Sequence, residues 1–188
     1  LLDFQLPGTL KEIVYPEAWK EADDQLTYYP IFQDSGYAES SERSAALNFV
    51  MIDCPALPAA STDAIAYPYL DKLANDPSVV ICLSSTETNA VQCVRRMLVE
   101  LQHRQIKNPV VLITDSPMQT PDEHLIHFAT ETGALLLDGF GDGICLGFSS
   151  QAQMENIQVK GRTYLEVKDI YQFTNNTAFS VLQATRTR

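Results

Sequence analysis

Four aspartates, Asp53, Asp115, Asp138 and Asp142, are the residues of this chain best placed to do chemistry. Each stands at or just beyond an apolar run of the kind that forms a buried strand. Where strands run parallel, ligands gather at their carboxyl ends, and Ser84, Ser85, Thr86 and Ser116 belong to the same expected edge. Two readings are open. Aspartates at such positions cap the following helix or pin a turn. Alternatively they share an acidic cleft able to hold a divalent cation on carboxylate oxygens.

The run Leu-Leu-Leu-Asp-Gly-Phe-Gly-Asp-Gly-Ile-Cys-Leu, residues 135–146, contains two of these aspartates and glycines at 139, 141 and 143. A dinucleotide loop needs Gly-x-Gly-x-x-Gly opening a helix. Here the spacing is Gly-x-Gly-x-Gly, an apolar run follows, and no lysine is present. Two carboxylates would also repel a phosphate. The run is therefore expected to be a strand–turn–strand element whose glycines supply positive φ.

His124 and His127 stand three apart on an expected helix near Glu123 and Glu131. Without a third ligand they read as histidines on a solvent face. No serine or cysteine sits in a diagnostic nucleophile motif. Cys54, Cys82, Cys93 and Cys145 form no Cys-x-x-Cys pair; 54, 82 and 145 fall in or beside apolar runs, which suits buried, reduced thiols. Asn175-Asn176-Thr177 matches a glycosylation sequon by chance.

The elements that must position these groups follow from the totals and the rhythm of the chain. The 188 residues suit one domain with an appendage. Apolar content of 45% and mean hydropathy of −0.10 are those of an ordinary soluble protein, and no apolar run approaches the roughly 18 residues of a membrane helix. The 13 basic and 24 acidic residues give a net charge of −11, a field that repels nucleic acid. No signal peptide is visible, so the expected location is cytoplasmic. The chain starts without Met and both ends read as cuts.

Residues 1–46 read as a mixed helix and loop extension, with 27–44 as a weakly structured surface excursion. Its aromatic residues Trp19, Tyr28, Tyr29, Phe32 and Tyr37 either pack onto the main body or cover a neighbouring domain. Residues 47–170 read as an α/β body. Strands are expected at 47–54, 78–85, 109–115 and 134–139, with a fifth at 143–149. Helices are expected at 62–75, 86–105 and from Thr120 to a C-cap at Gly133. Strand starts recur about every 30 residues, the size of a βαβ unit. The fold class is therefore α/β: a mainly parallel sheet covered by helices, either open and doubly wound or a partial (βα) barrel. Residues 171–188 read as a C-terminal helix.

Two segments carry a resemblance. Glu-Thr-Gly-Ala-Leu-Leu-Leu-Asp-Gly-Phe-Gly-Asp-Gly-Ile-Cys-Leu, residues 131–146, is similar to a segment in the long form of the 4-hydroxy-3-methylbut-2-en-1-yl diphosphate synthase family. Asn176, Thr177, Phe179, Leu182, Gln183, Arg186 and Arg188 resemble the family's following motif, Asn-Thr-x-Phe-x-x-Leu-Gln-x-x-Arg-x-Arg. The resemblance implies the central insert of a three-part enzyme, lying between a barrel that binds the cyclic diphosphate substrate and a domain that carries a [4Fe-4S] cluster. The parent reaction it implies belongs to the methylerythritol phosphate isoprenoid pathway. That reaction is the two-electron reductive opening of 2-C-methyl-D-erythritol 2,4-cyclodiphosphate to hydroxymethylbutenyl diphosphate, with ferredoxin or flavodoxin as donor. The four cysteines do not match the cluster motif, so no catalytic, cofactor or metal residue is carried over to this chain.

On that footing the segment is expected to be a spacer and docking domain, inactive alone, whose partners are the barrel and iron–sulfur domains of its own parent. The rival reading is an independent α/β binding domain using the acidic edge of Asp53, Asp115, Asp138 and Asp142. An acidic docking face for the electron donor is disfavoured, because such donors are usually acidic themselves and like charges repel.

Overall fold

The computed structural model describes residues 10–23, 27–56, 67–74, 76–152 and 169–185. Six parallel strands form one open sheet in sequential order: β1 (Glu12–Val14), β2 (Tyr28–Gln33), β3 (Asn48–Asp53), β4 (Val79–Ser84), β5 (Val110–Ser116) and β6 (Gly143–Phe148). Each strand pairs with the next, so the order never reverses. Right-handed crossovers in such an order return every helix to the same face, and the sheet's twist curls it. Of the two architectures the pattern allows, this is the partial barrel. A doubly wound sheet needs a switch in strand order, and none occurs among the described residues.

The strands form where β-branched and aliphatic residues run together. β4, Val-Val-Ile-Cys-Leu-Ser, is buried from Val79 to Leu83, as expected of a central parallel strand. β3 alternates instead: Asn48, Val50 and Ile52 are buried, and Phe49 and Met51 are half-buried. Register places Ile52, Leu83, Leu112 and Ile144 side by side across four strands. Ile52, Leu83 and Leu112 share the main core with Val94, Met97, Leu98 and Leu101 of helix α4 (Ala90–His103), and Ile144 packs against it half-buried.

The expected surface excursion is replaced by β2 and helix α2 (Asp34–Glu39). Its aromatic residues drive this: Phe32 and Tyr37 are buried and meet edge to face, with ring centroids 5.4 Å apart. Trp19, on the short helix α1 (Pro16–Lys20), is buried as well. The helix expected over 62–75 is present as α3 (Leu70–Ala74); residues 61–66 and 75 lie outside the described residues, as do Arg186 and Arg188.

Two further corrections concern the glycine run. Ala134–Leu137 is helix α6, not a strand, and Gly133 does not cap the preceding helix. Helix α5 (Pro121–Phe128) passes through a π turn, Ala129–Gly133, directly into α6. Ala and Leu are strong helix formers, and a four-residue apolar run has no period that separates helix from strand. The glycines behave as expected: Gly139 and Gly141 have φ of +82° and +86° and turn the chain into β6. The start of α5 is also as expected, a capping box in which Thr120 and Glu123 hold each other's backbone N–H.

A polar cluster closes the amino edge of the sheet. Asp76 accepts hydrogen bonds from the hydroxyl of buried Tyr37 and from Ser78 N and Oγ, the latter two at 2.9 and 2.6 Å. The Ser78 and Tyr37 side chains hold its carboxyl below the ordinary range. A carboxyl whose pKa falls on folding stabilises the fold above its unfolded pKa, and that contribution is lost as pH drops through the folded value. Wild type should therefore exceed Asp76→Asn in urea midpoint at neutral pH, with the gap closing as pH falls below about 4, the unfolded carboxyl range. A gap that does not change with pH would refute this role.

Candidate functional site

The carboxyl edge is assembled by ties between neighbouring loops. At the exits of β3 and β4, Ser85 Oγ donates to Cys54 O at 2.6 Å, Arg96 donates to Pro55 O at 2.6 Å, and Ala56 N donates to Glu87 Oε1 at 3.3 Å. At the exits of β5 and β6, Ser149 N donates to Ser116 O at 3.1 Å and Gln119 Nε2 to Gln151 O at 3.1 Å. Between the two tied pairs lies a cleft of about 680 Å³. Its lining combines apolar residues, including Met51, Leu83, Leu112 and Leu135, with the loop Ser84–Thr88 and with Asp115, His127 and Glu131.

A π turn carries Glu131 into that lining. It widens the helix by one residue at Ala129–Gly133, and threonines bond back across it, Thr130 Oγ1 to Ile126 O at 2.9 Å and Thr132 Oγ1 to Phe128 O at 2.7 Å. Glu131 is half-buried there. Burial pushes its carboxyl pKa up, and nearby His127 works against that rise.

Helix α5 also holds a group that sequence reasoning placed on the surface. His124 is fully buried; its Nδ1 lies 2.8 Å from Ser116 Oγ, its ring meets Phe148 edge to face at 4.9 Å, and it stacks on Phe128 at 6.2 Å. The i, i+3 spacing of His124 and His127 divides the two between core and cleft. Only the heptad-like recurrence of Leu125, Phe128 and Thr132 around them could have hinted which faced inward.

The four candidate aspartates do not converge. Asp53 and Asp115 both reach the carboxyl edge, exposed, at the ends of β3 and β5. β4 separates them, so two interstrand spacings hold them about 9–10 Å apart or more. Asp115 lies over Gly147, its register partner on β6; a Cβ at Gly147 would fall 2.0 Å from Asp115 Oδ1. Asp138 closes α6 and pairs with Arg95 of α4. Asp142 is at the opposite, amino edge, where its carboxylate accepts from Val110 N at 2.8 Å and its N–H donates to Val110 O at 2.7 Å. Asp138 and Asp142 thus pin ends of elements.

Among the described residues, no group of three or more His, Cys, Asp or Glu side chains could hold a metal ion. Cys54, Cys82 and Cys93 are buried, and Cys145 is exposed. Burial pushes the Cys54 and Cys82 thiols up to about 12, which disfavours the thiolate an iron–sulfur cluster needs. These cysteines do not fit a cluster, and no reaction step is derived through one. No helix among the described residues is long and apolar enough to cross a membrane.

Fold and site together define a parallel α/β domain of the partial-barrel class, with a cleft at the strand carboxyl ends. The chain is 28% identical over 176 residues, 94% of its length, to 4-hydroxy-3-methylbut-2-en-1-yl diphosphate synthase (flavodoxin) of Phocaeicola vulgatus. It is 29% identical over 185 residues, 97% of its length, to the protein of the same name from Parabacteroides distasonis. The resemblance carried by residues 131–146 and 176–188 therefore extends along nearly the whole chain. The chain spans about a quarter of the length of these curated relatives, 24% and 25% respectively. No family model matches it, and no solved structure does.

Proposed function

We propose that this chain is the central domain of a long-form 4-hydroxy-3-methylbut-2-en-1-yl diphosphate synthase, acting as a spacer and docking domain between a substrate-binding barrel and an iron–sulfur domain. One observation carries the reading: relatives of that name match 94–97% of this chain with only 24–25% of their own length. The parent would be a cytoplasmic oxidoreductase of the methylerythritol phosphate pathway. It would use a [4Fe-4S] cluster held elsewhere in its sequence and electrons from flavodoxin, the donor in the relatives' names, or from ferredoxin. A rigid parallel sheet with a core of its own is suited to holding two functional domains at a set distance.

The test is excision. The 188-residue chain alone should give no turnover of the cyclic diphosphate with reduced flavodoxin. Removing the segment from the full-length protein should abolish turnover while iron content and the cluster's visible absorbance persist. Full activity in the shortened protein, as a monomer, would refute the spacer role.

A further inference from the structure

We propose that the sheet face opposite the helices is a docking groove for one amphipathic helix, supplied by the remainder of the parent chain and carrying a lysine or arginine where it meets the carboxyl edge. This assignment rests on the reading of the chain as one domain of a longer synthase, whose relatives match it with only 24–25% of their length. Successive residues of a strand point to opposite faces of a sheet. One face here is sealed. Helices α2, α3, α4, α6 and α7 (Ile170–Ala184) all contribute to the core in which Phe32, Val50, Ile52, Leu83 and Leu112 are at most 3% exposed.

The other face is apolar but open. Register sets Ile31 beside Phe49, Met51 in one row with Cys82 and Val111, and Ile113 beside Cys145. Ile31, Phe49, Met51, Val111 and Ile113 are only half-buried, Cys145 is exposed, and Ile13, on the same face of β1, is 47% exposed. From β2 to β5 this strip spans three interstrand spacings, about 14 Å, which fits one helix about 10–12 Å across with its side chains. β2 to β5 are paired on both sides, so the face offers no backbone group to an added strand. A helix satisfies its own backbone and can lie there without loss. Asp53 and Asp115 follow Met51 and Ile113 by two residues, so they stand exposed on this same face at its carboxyl edge. They favour a cationic end on the occupant. With the chain's net charge of −11, they oppose a second copy of the domain.

The test is photo-crosslinking in the full-length parent protein. p-Benzoylphenylalanine replaces Phe49 in one protein and exposed Ile13 in a second, so that misfolding of the first does not end the test. After irradiation, mass spectrometry should find both positions joined to one peptide outside the matched 188 residues. That peptide should carry apolar residues at i, i+3 and i+4 spacing and a lysine or arginine near one end. Asp53→Asn combined with Asp115→Asn should lower the yield about tenfold, the worth of one charge-assisted hydrogen bond. Cross-links confined to the 188 residues, cross-links between two copies, no cross-link from either position, or an unchanged yield in the double variant would overturn the proposal. The excision experiment is read separately. Turnover lost on excision with no cross-link would remove the groove and keep the spacer; a cross-link in a protein that stays fully active after excision would remove the spacer and keep the groove.

Discussion

Replacing Phe128 with alanine is expected to destabilise the fold by about 3–5 kcal/mol, the range for deleting a buried aromatic ring. Phe128 is fully buried, and its ring lies 5.7 Å from Phe148, 6.2 Å from His124 and 6.2 Å from His127. It therefore joins α5 to the end of β6 and to the buried His124. Truncation removes the ring's burial and leaves a void that three neighbouring rings, fixed by their own elements, cannot fill. Urea unfolding should show a lower midpoint with an unchanged slope. The control is Ile126→Ala, on the same helix but 62% exposed, where a change within about 0.5 kcal/mol is expected. Similar losses at the two positions would mean that helix propensity, not ring burial, sets the cost.

Asn48→Ala should cost about 3 kcal/mol through a different mechanism, because buried polar groups left unpaired lose about 1–3 kcal/mol each. Asn48 is fully buried at the start of β3. Its amide donates to Ser44 O at 2.8 Å and Ser78 Oγ at 2.9 Å and accepts from Ser44 N at 2.9 Å. The side chain thus ties the loop before β3 to the one before β4. Ser78→Ala removes one of these bonds, together with the one Ser78 Oγ donates to Asp76 at 2.6 Å, and leaves Asn48 its two bonds to Ser44. The double variant should be less unstable than the sum of the singles, since both remove the same contact. Strict additivity would mean that Asn48 and Ser78 act independently.

The two residues mark two edges with different tasks. In parallel barrels the amino edge serves stability and the carboxyl edge function. Asn48, Ser78, Asp76 and Asp142 form a hydrogen-bonded amino edge. Among the described residues, the carboxyl edge gives Asp53, Asp115 and Glu131 no such network, and a cleft opens there instead.

Much of this was written in local pattern. β3, β4, β5 and α4 follow from apolar runs and from the spacing of Val94, Leu98 and Leu101. The capping box of Thr120 and Glu123 and the positive-φ glycines 139 and 141 are local chemistry, so they too were legible. The parallel class followed because strands alternating with helices at βαβ spacing permit little else.

Other features depended on what lies across the fold. Residues 134–137 became helix rather than strand because the π turn kept α5 going and Leu135 and Leu136 found the core from a helical frame. His124 went inside because Ser116 and Phe148, on two other elements, supply a hydroxyl and a ring to receive it. Asp142 left the expected acidic edge because helix α6 moved the start of β6 past it, and Val110 captured its carboxylate. Sequence by itself determined the class of fold, since periodicity and turn chemistry act over a few residues. Tertiary structure decided which strand order formed, which aspartates shared an edge and which histidine faced the cleft, because each depends on partners distant in the chain.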